Sequence, residues 1–338
     1  MTAFAERLKH ASIWWYAFGY FACYWPYSAL TKAVTRGYIV DETIPGAAVL
    51  PLSVGASVLG MFAFITLMGW WHHATSFELA GKRLPRPTKW TLLSGVCTSL
   101  IIGTTTLAYT FDGISIVFAM LLMRGGVLIM SPVIDSITGR HVRWFSWSGL
   151  VFSMAALIVA FSEEGGYNMK VLAAVDIGIY LASYFIRLQL MSRLAKSDDR
   201  DTTIRYFVEE QLVASPLLFI ILVGLAIFKI GEFGELQAQG FALITHPAAI
   251  YIIGLGILSQ GTGIFGGLIL LGREENAYCV PVNRASSILA GVLASTTLAI
   301  LFAAMGATMP SGHQLAGAGL VITAILFLSI PPLLENRR

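Results

Sequence analysis

The sequence predicts an all-α integral membrane protein, with ten transmembrane helices arranged as two inverted five-helix repeats. Three observations carry that prediction. Of 338 residues, 56% are hydrophobic and only 12% charged, and mean hydropathy is +0.74. A soluble domain carries about 25% charged residues. The apolar residues also fall into ten runs: 12–34, 48–71, 90–109, 114–137, 145–161, 171–192, 206–228, 247–271, 278–304 and 313–333. Each approaches or exceeds the roughly 20 residues that span a hydrocarbon core as helix. Finally, when successive runs alternate in direction, most Lys and Arg residues fall on one side of the membrane.

The first run begins near Ala11 and extends to about Val34. It is too long for the apolar region of a cleavable signal peptide and is expected to remain as a helix. Its "WWYAFGYFACYWPY" places Trp14, Trp15 and Tyr16 where an interfacial aromatic belt would sit. Tyr20, Tyr24 and Tyr27 share a face deeper in, and Trp25 precedes Pro26, which removes a helix hydrogen bond. The second and third runs flank a basic loop with Lys82, Arg83, Arg86 and Lys89. The fourth carries Arg124 about 15 Å from its start at 1.5 Å per residue, near mid-membrane.

The sixth run carries Asp176, Tyr180, Ser183, Tyr184 and Arg187, all within about 100° of one helical face. The eighth, "GLGILSQGTGIFGG", is dense in glycine around Gln260. The ninth carries Asn283 and Arg284, then Ala290, Gly291, Ala294 and Ser295, a small-residue face suited to close helix packing.

Fifteen basic residues fall on one side: Arg7, Lys9, Lys82, Arg83, Arg86, Lys89, Arg140, Arg143, Arg193, Lys196, Arg200, Arg205, Arg273, Arg337 and Arg338. Four fall on the other: Lys32, Arg36, Lys170 and Lys229. Arg124, Arg187 and Arg284 lie within helices. The bias places both termini in the cytoplasm of a cell whose inner membrane holds the protein. "MRGGVLIMSPVID" aligns with "NRASSILAGVLAS", setting Arg124 over Arg284 at an offset of 160. "SGLVFSMAALIVA" aligns with "AGLVITAILFLSI" at an offset of 170. The resulting repeats span 1–165 and 166–338. Five helices is an odd number, so the second repeat enters inverted, an architecture of secondary transporters with the substrate site between the halves.

The candidate substrate-binding residues are Arg124, Tyr24, Trp25, Tyr109, Tyr180, Tyr184, Gln260, Asn283 and Arg284, with Asp176 as a proton-coupling group or a counterion for Arg124. A charge inside a membrane helix is costly and usually faces a cavity or a partner. Each residue also has a plainer reading. Arg124 would tie to backbone carbonyls of a neighbouring helix. Arg284, about 9 Å into its helix, would snorkel to the surface. Asp176 and Arg187 would mark the two interfaces, and the tyrosines would simply pack.

Other chemistries find little support. Basic residues form no face for nucleic acid. Cys23, Cys97 and Cys279 lie far apart, and no CxxC or HExxH occurs, so no metal and no cofactor is expected. "GTGIFG" (261–266) fits a dinucleotide fingerprint by letter but follows no strand. "PSGH" (310–313) resembles a lipid-phosphate phosphatase motif, but no second histidine follows His313. An enzyme is not expected.

The run "LAYTFDGISIVFAMLLMRGGVLIMSPVIDSITGRHVRWFSWSGLVFSMAALIVA" resembles the drug/metabolite transporter superfamily, including EamA-type, nucleotide-sugar and triose-phosphate carriers. "YWPYSALTKAV" resembles the first helix of that superfamily. Gly139-Arg140 stands where many relatives have Gly-Glu, and Trp25-Pro26 where Trp-Gly is common. The resemblance implies alternating access around a cavity between the halves. The expected function is therefore secondary transport of a small polar, anion-bearing metabolite, by a monomer or homodimer in contact with lipid, with H+ as candidate coupling ion. The rivals are a flippase for a lipid or lipid-linked sugar, an intramembrane enzyme and a non-transporting membrane partner.

Overall fold

The computed structural model describes residues 12–79, 81–107, 116–161, 171–197 and 199–335. Helices lie over all ten apolar runs. The first half comprises α1 (Ile13–Thr35), α2 (Gly46–Met68), α3 (Lys89–Leu107), α4 (Ile116–Ile137) and α5 (Trp144–Phe161). The second comprises α6 (Val171–Leu194), α7 (Arg200–Gln211), α8 (Ala214–Phe228), α9 (Gly231–Ala242), α10 (Ala249–Leu270), α11 (Asn276–Leu301) and α12 (Gly312–Glu335).

Among the described residues, five helical stretches are long and apolar enough to cross a bilayer: Gly46–Met68, Ala173–Leu194, Arg200–Phe228, Ala249–Leu270 and Asn276–Leu301. The side chains are distributed as a lipid solvent demands. Leu59, Leu67, Ile227 and Ile250 point outward, whereas Asp135, Glu210, Gln237 and Asn276 are buried. Water would select the reverse.

Three features depart from the sequence reading, and each has a local cause. First, the basic loop after α2 is not a plain connection. It folds into an antiparallel hairpin, β1 (Ser76–Leu79) with β2 (Lys82–Pro85), pairing Phe77 with Leu84 and Glu78 with Arg83. An isolated hairpin is marginal, and this one is held at its base by the buried Glu209 carboxylate. That group accepts from Thr75 N (3.0 Å), Thr75 Oγ1 (2.7 Å), Thr88 N (3.2 Å) and Thr91 Oγ1 (2.7 Å).

Second, the seventh run begins earlier than 206 and is broken. Asp199 caps α7 by accepting from Asp201 N at 3.1 Å. Pro216 stands in the first turn of α8, where proline is tolerated, and cannot donate to a carbonyl one turn back, so the chain breaks at Leu212–Val213 and restarts.

Third, α9 occupies what the sequence reading left as a connection. It is too short and polar to register as a span. It packs on α2 because Gly240 has no side chain: a Cβ there would lie 2.3 Å from the Ala48 carbonyl oxygen. Gln237 Nε2 donates to Ala47 O at 3.2 Å beside it.

The main helix pairs are α5 with α12, α1 with α10 and α11, α2 with α10, and α3 with α6. Between them, α4 packs on both α6 and α11, and α2 packs on α8. The largest apolar cluster fills the middle of the bundle and includes Met61, Val127, Leu188, Phe207 and Ile264.

Candidate functional site

A polar cavity of about 190 Å³ lies within this bundle. Its wall draws on α1 (Tyr20), α6 (Tyr184, Arg187), α7 (Gln211), α10 (Gln260) and α11 (Asn283, Arg284), with serines and threonines of α2, α3, α8 and α10 and apolar side chains such as Val54, Ile101, Leu218 and Leu270 between them. The local sequence explains the convergence. Tyr180, Tyr184 and Arg187 recur at i, i+4 and i+7, so one stripe of α6 faces inward. Gly266 of α10 lets α1 and α11 close on it: a Cβ there would meet the Tyr20 ring at 2.9 Å and Asn283 Nδ2 at 3.3 Å.

Two guanidiniums reach this wall in different electrostatic settings. Arg187 holds Glu210 in a fork, Nε to Oε1 at 2.8 Å and Nη2 to Oε2 at 3.0 Å. Glu210 also accepts from Ser94 Oγ at 2.5 Å and Thr98 Oγ1 at 3.1 Å, and Tyr206 OH donates to Ser94 Oγ at 2.8 Å. The pair is neutralised within the protein, in the bidentate geometry that favours Arg.

Arg284 is only 8% exposed, so it does not snorkel. Its Nη2 donates to Tyr180 OH at 3.5 Å, its guanidinium carbon lies 5.3 Å from the Tyr184 ring centroid, and Nε has no hydrogen-bond acceptor among the described residues. No described carboxylate forms an ion pair with it. The tyrosine faces offset part of the burial cost through cation–π attraction.

The other sequence candidates are distributed around this centre. Arg124 is half-buried and donates from Nη2 to Tyr24 OH at 3.1 Å. Tyr24 stacks on Tyr20 with centroids 5.5 Å apart, so Arg124 borders the cavity through that stack rather than lining it. Trp25 turns to α11, where Nε1 donates to Thr297 Oγ1 at 3.0 Å, and is not part of the wall. Tyr109 lies outside the described residues. Asp176 is buried, and neither carboxylate oxygen has a partner among the described residues, so it is not the counterion of Arg124.

Glu210 and Gln211 are site residues that the sequence reading did not select, whereas Tyr20 was read there on one face with Tyr24 and Tyr27 and does line the cavity. The signal for Glu210 and Gln211 was present: Glu209 and Glu210 are the sole carboxylates in the apolar run 206–228.

One end of the bundle is tied by polar bonds between the halves. Asp135, at the end of α4, accepts from Asn276 N (2.9 Å), Asn276 Nδ2 (2.7 Å) and Ala277 N (2.7 Å), capping α11 from another helix. Glu275 accepts from Arg143 Nε (2.9 Å), Arg143 Nη2 (2.9 Å) and Ser146 Oγ (2.6 Å). Arg140 reaches the carbonyls of Arg273, Ser192 and Lys196. Burial would raise the Glu275 carboxyl, but the bonds from Arg143 and Ser146 outweigh it and hold the group below its ordinary value. Among the described residues, no group of three or more His, Cys, Asp or Glu side chains is placed to hold a metal.

No family model matches the chain, and no curated protein matches it. A solved structure described only as "Crystal structure of protein" is similar with a TM-score of 0.53 and 15% identity, covering 93% of this chain and 98% of that one. That likeness concerns the fold alone.

Proposed function

We propose that this chain is a secondary transporter that carries a small organic anion across the cytoplasmic membrane by alternating access. The observation that carries the reading is Arg284: a buried cation on the wall of a cavity lined by polar and apolar groups, among tyrosines and with no carboxylate among the described residues paired to it. A permanent charge in that setting is costly, and an anionic substrate would offset the cost. Gln260, Asn283 and Gln211 would orient the substrate, and Tyr20 and Tyr184 would bound it. A volume near 190 Å³ suits a small metabolite better than a nucleotide sugar or a lipid.

The same reading treats the chain as two inverted repeats of five helices, and the pattern of helix contacts is consistent with it. Exchanging the halves pairs α1 with α6, α2 with α7–α8, α3 with α10, α4 with α11 and α5 with α12. Under that exchange, the contact of α1 with α10 becomes α6 with α3. The contact of α2 with α10 becomes α8 with α3, and α1 with α11 becomes α6 with α4. All of these contacts occur. The excess of Lys and Arg on one side supports cytoplasmic termini. Asp176, buried and without a hydrogen-bond partner among the described residues, would carry the coupled proton.

Uptake into proteoliposomes tests the reading, with a panel of radiolabelled carboxylates and sugar phosphates. At least one anion should accumulate with the wild type and be lost on the order of 100-fold in Arg284→Gln, as expected when the partner of a charge-assisted bond is removed. Transport of that anion by Arg284→Gln at the wild-type rate would overturn it.

A further inference from the structure

The residues that surround Arg284 recur around Arg124 at one constant sequence offset. Arg124 and Arg284 are 160 positions apart, and so are Tyr20 and Tyr180, and Tyr24 and Tyr184. The contacts recur with them. Tyr20 and Tyr24 stack with centroids 5.5 Å apart, and Tyr180 and Tyr184 lie 4.9 Å apart. In each half the arginine of the fourth helix meets the tyrosine pair of the first, but not through equivalent bonds: Arg124 donates to Tyr24 OH at 3.1 Å, whereas Arg284 lies over the ring of the equivalent Tyr184 at 5.3 Å and donates to Tyr180 OH at 3.5 Å. The two clusters abut, since Tyr20 and Tyr180 each lie within electrostatic reach of both guanidiniums. Chance apolar similarity would not place three polar residues at one offset and also gather each set into one arginine–tyrosine cluster.

The clusters differ in what they face. Arg284 and Tyr184 line the cavity and Arg124 and Tyr24 do not, while the remaining pair is reversed, with Tyr20 on the wall and Tyr180 off it. The halves are bound at one end of the bundle by bonds made in this conformation, chiefly Asp135 to the start of α11 and Glu275 to Arg143.

We infer that Arg124, Tyr20 and Tyr24 form a second seat for an anionic oxygen group, equivalent to Arg284, Tyr180 and Tyr184, and that the two seats exchange exposure. In the present conformation Arg284 faces the cavity. When the bonds at Asp135 and Glu275 open and the halves rock, Arg124 takes the wall and Arg284 withdraws against its tyrosines. The anion passes between adjacent guanidiniums rather than across an apolar gap. A state can be depopulated by removing bonds that only it makes.

The inference rests on the carrier reading, but its test needs no substrate, so the two fail separately. The full-length protein in nanodiscs is treated with phenylglyoxal, a dicarbonyl that modifies accessible guanidiniums, and the peptides bearing residues 124 and 284 are quantified by mass spectrometry. The wild type sets the reference, with half-buried Arg124 and 8%-exposed Arg284 quantified separately. In Asp135→Asn/Glu275→Gln, Arg124 should react several-fold faster and Arg284 several-fold slower. If that double variant does not fold, Glu275→Gln alone should show the same reciprocal change at smaller amplitude. Protection of Arg124 in every variant, or a rise at both arginines together, overturns the exchange.

Discussion

Arg187 and Arg284 face the same cavity with nearly equal burial, 6% and 8% exposed. One has its counterion built into the fold and the other has tyrosine rings. A buried ion pair that fills both oxygens of its carboxylate is a structural part. Breaking it leaves a naked charge in a poorly solvated place. A buried guanidinium with no acid beside it contributes nothing comparable to stability and is retained at a cost. The first charge belongs to the scaffold, and the second is available to a ligand.

The largest effect should come from the structural pair. Glu210→Gln leaves Arg187 buried without its anion and should destabilise the protein by roughly 3–5 kcal/mol, read as a lowered melting temperature in detergent. A Glu210→Gln protein as stable as wild type would mean that Arg187 finds another anion and would erase the distinction between the two arginines. Arg284→Gln should do the opposite. Its melting temperature should equal or exceed that of wild type, because an uncompensated buried charge has been removed, while uptake is lost. Arg284→Lys keeps the charge but not the planar fork, and should retain a fraction of uptake. If Arg284→Gln unfolds the protein, Arg284 belongs with Arg187 as scaffold.

Asp176 sharpens the contrast from the acidic side. It is buried like Glu210 but has no partner among the described residues. Asp176→Asn should therefore leave stability unchanged or slightly improved, where Glu210→Gln lowers it. It should also abolish stimulation of uptake by an imposed proton gradient. Uptake that responds to the gradient as in wild type would remove Asp176 from the coupling step.

That helices lie over the apolar runs, five of them long and apolar enough to cross a bilayer, was legible because such a helix is specified by a composition averaged over about 20 residues. The polar stripe of α6 was legible through its 3.6-residue period. What the sequence hid depends on contacts between distant segments. The hairpin and α9 are short, and each is stabilised by a partner elsewhere in the chain: Glu209 for the hairpin, and Ala47 and Ala48 for α9. Arg187 and Glu210 lie on different helices, so no helical spacing reveals their pairing. Arg284 could snorkel or be buried according to which helices cover it, and the covering helices, α1 and α6, are known only from the packing. Depth along the helix sets Arg124 nearer the mid-membrane than Arg284 in the sequence, but depth does not say which face meets the cavity.

The smallest effect concerns the polar tie at the end of the bundle. Glu275 is buried and anionic like Glu210, but its partner Arg143 is about a third exposed, with a side-chain accessibility of 35%. Solvent screening therefore limits this pair to about 1 kcal/mol. Because the folded protein holds the Glu275 carboxyl below its ordinary value of 4.5, its stabilisation is complete above that pH and is lost as pH falls through the folded value. Wild-type melting temperature should thus drop on acidification below about 4.5 more steeply than that of Glu275→Gln, which starts lower at neutral pH and carries no such titration. The two curves should converge in acid. Parallel curves would mean that Glu275 is not held by Arg143 in the folded protein, and the contrast between a fully buried tie at Glu210 and a screened one at Glu275 would have no basis.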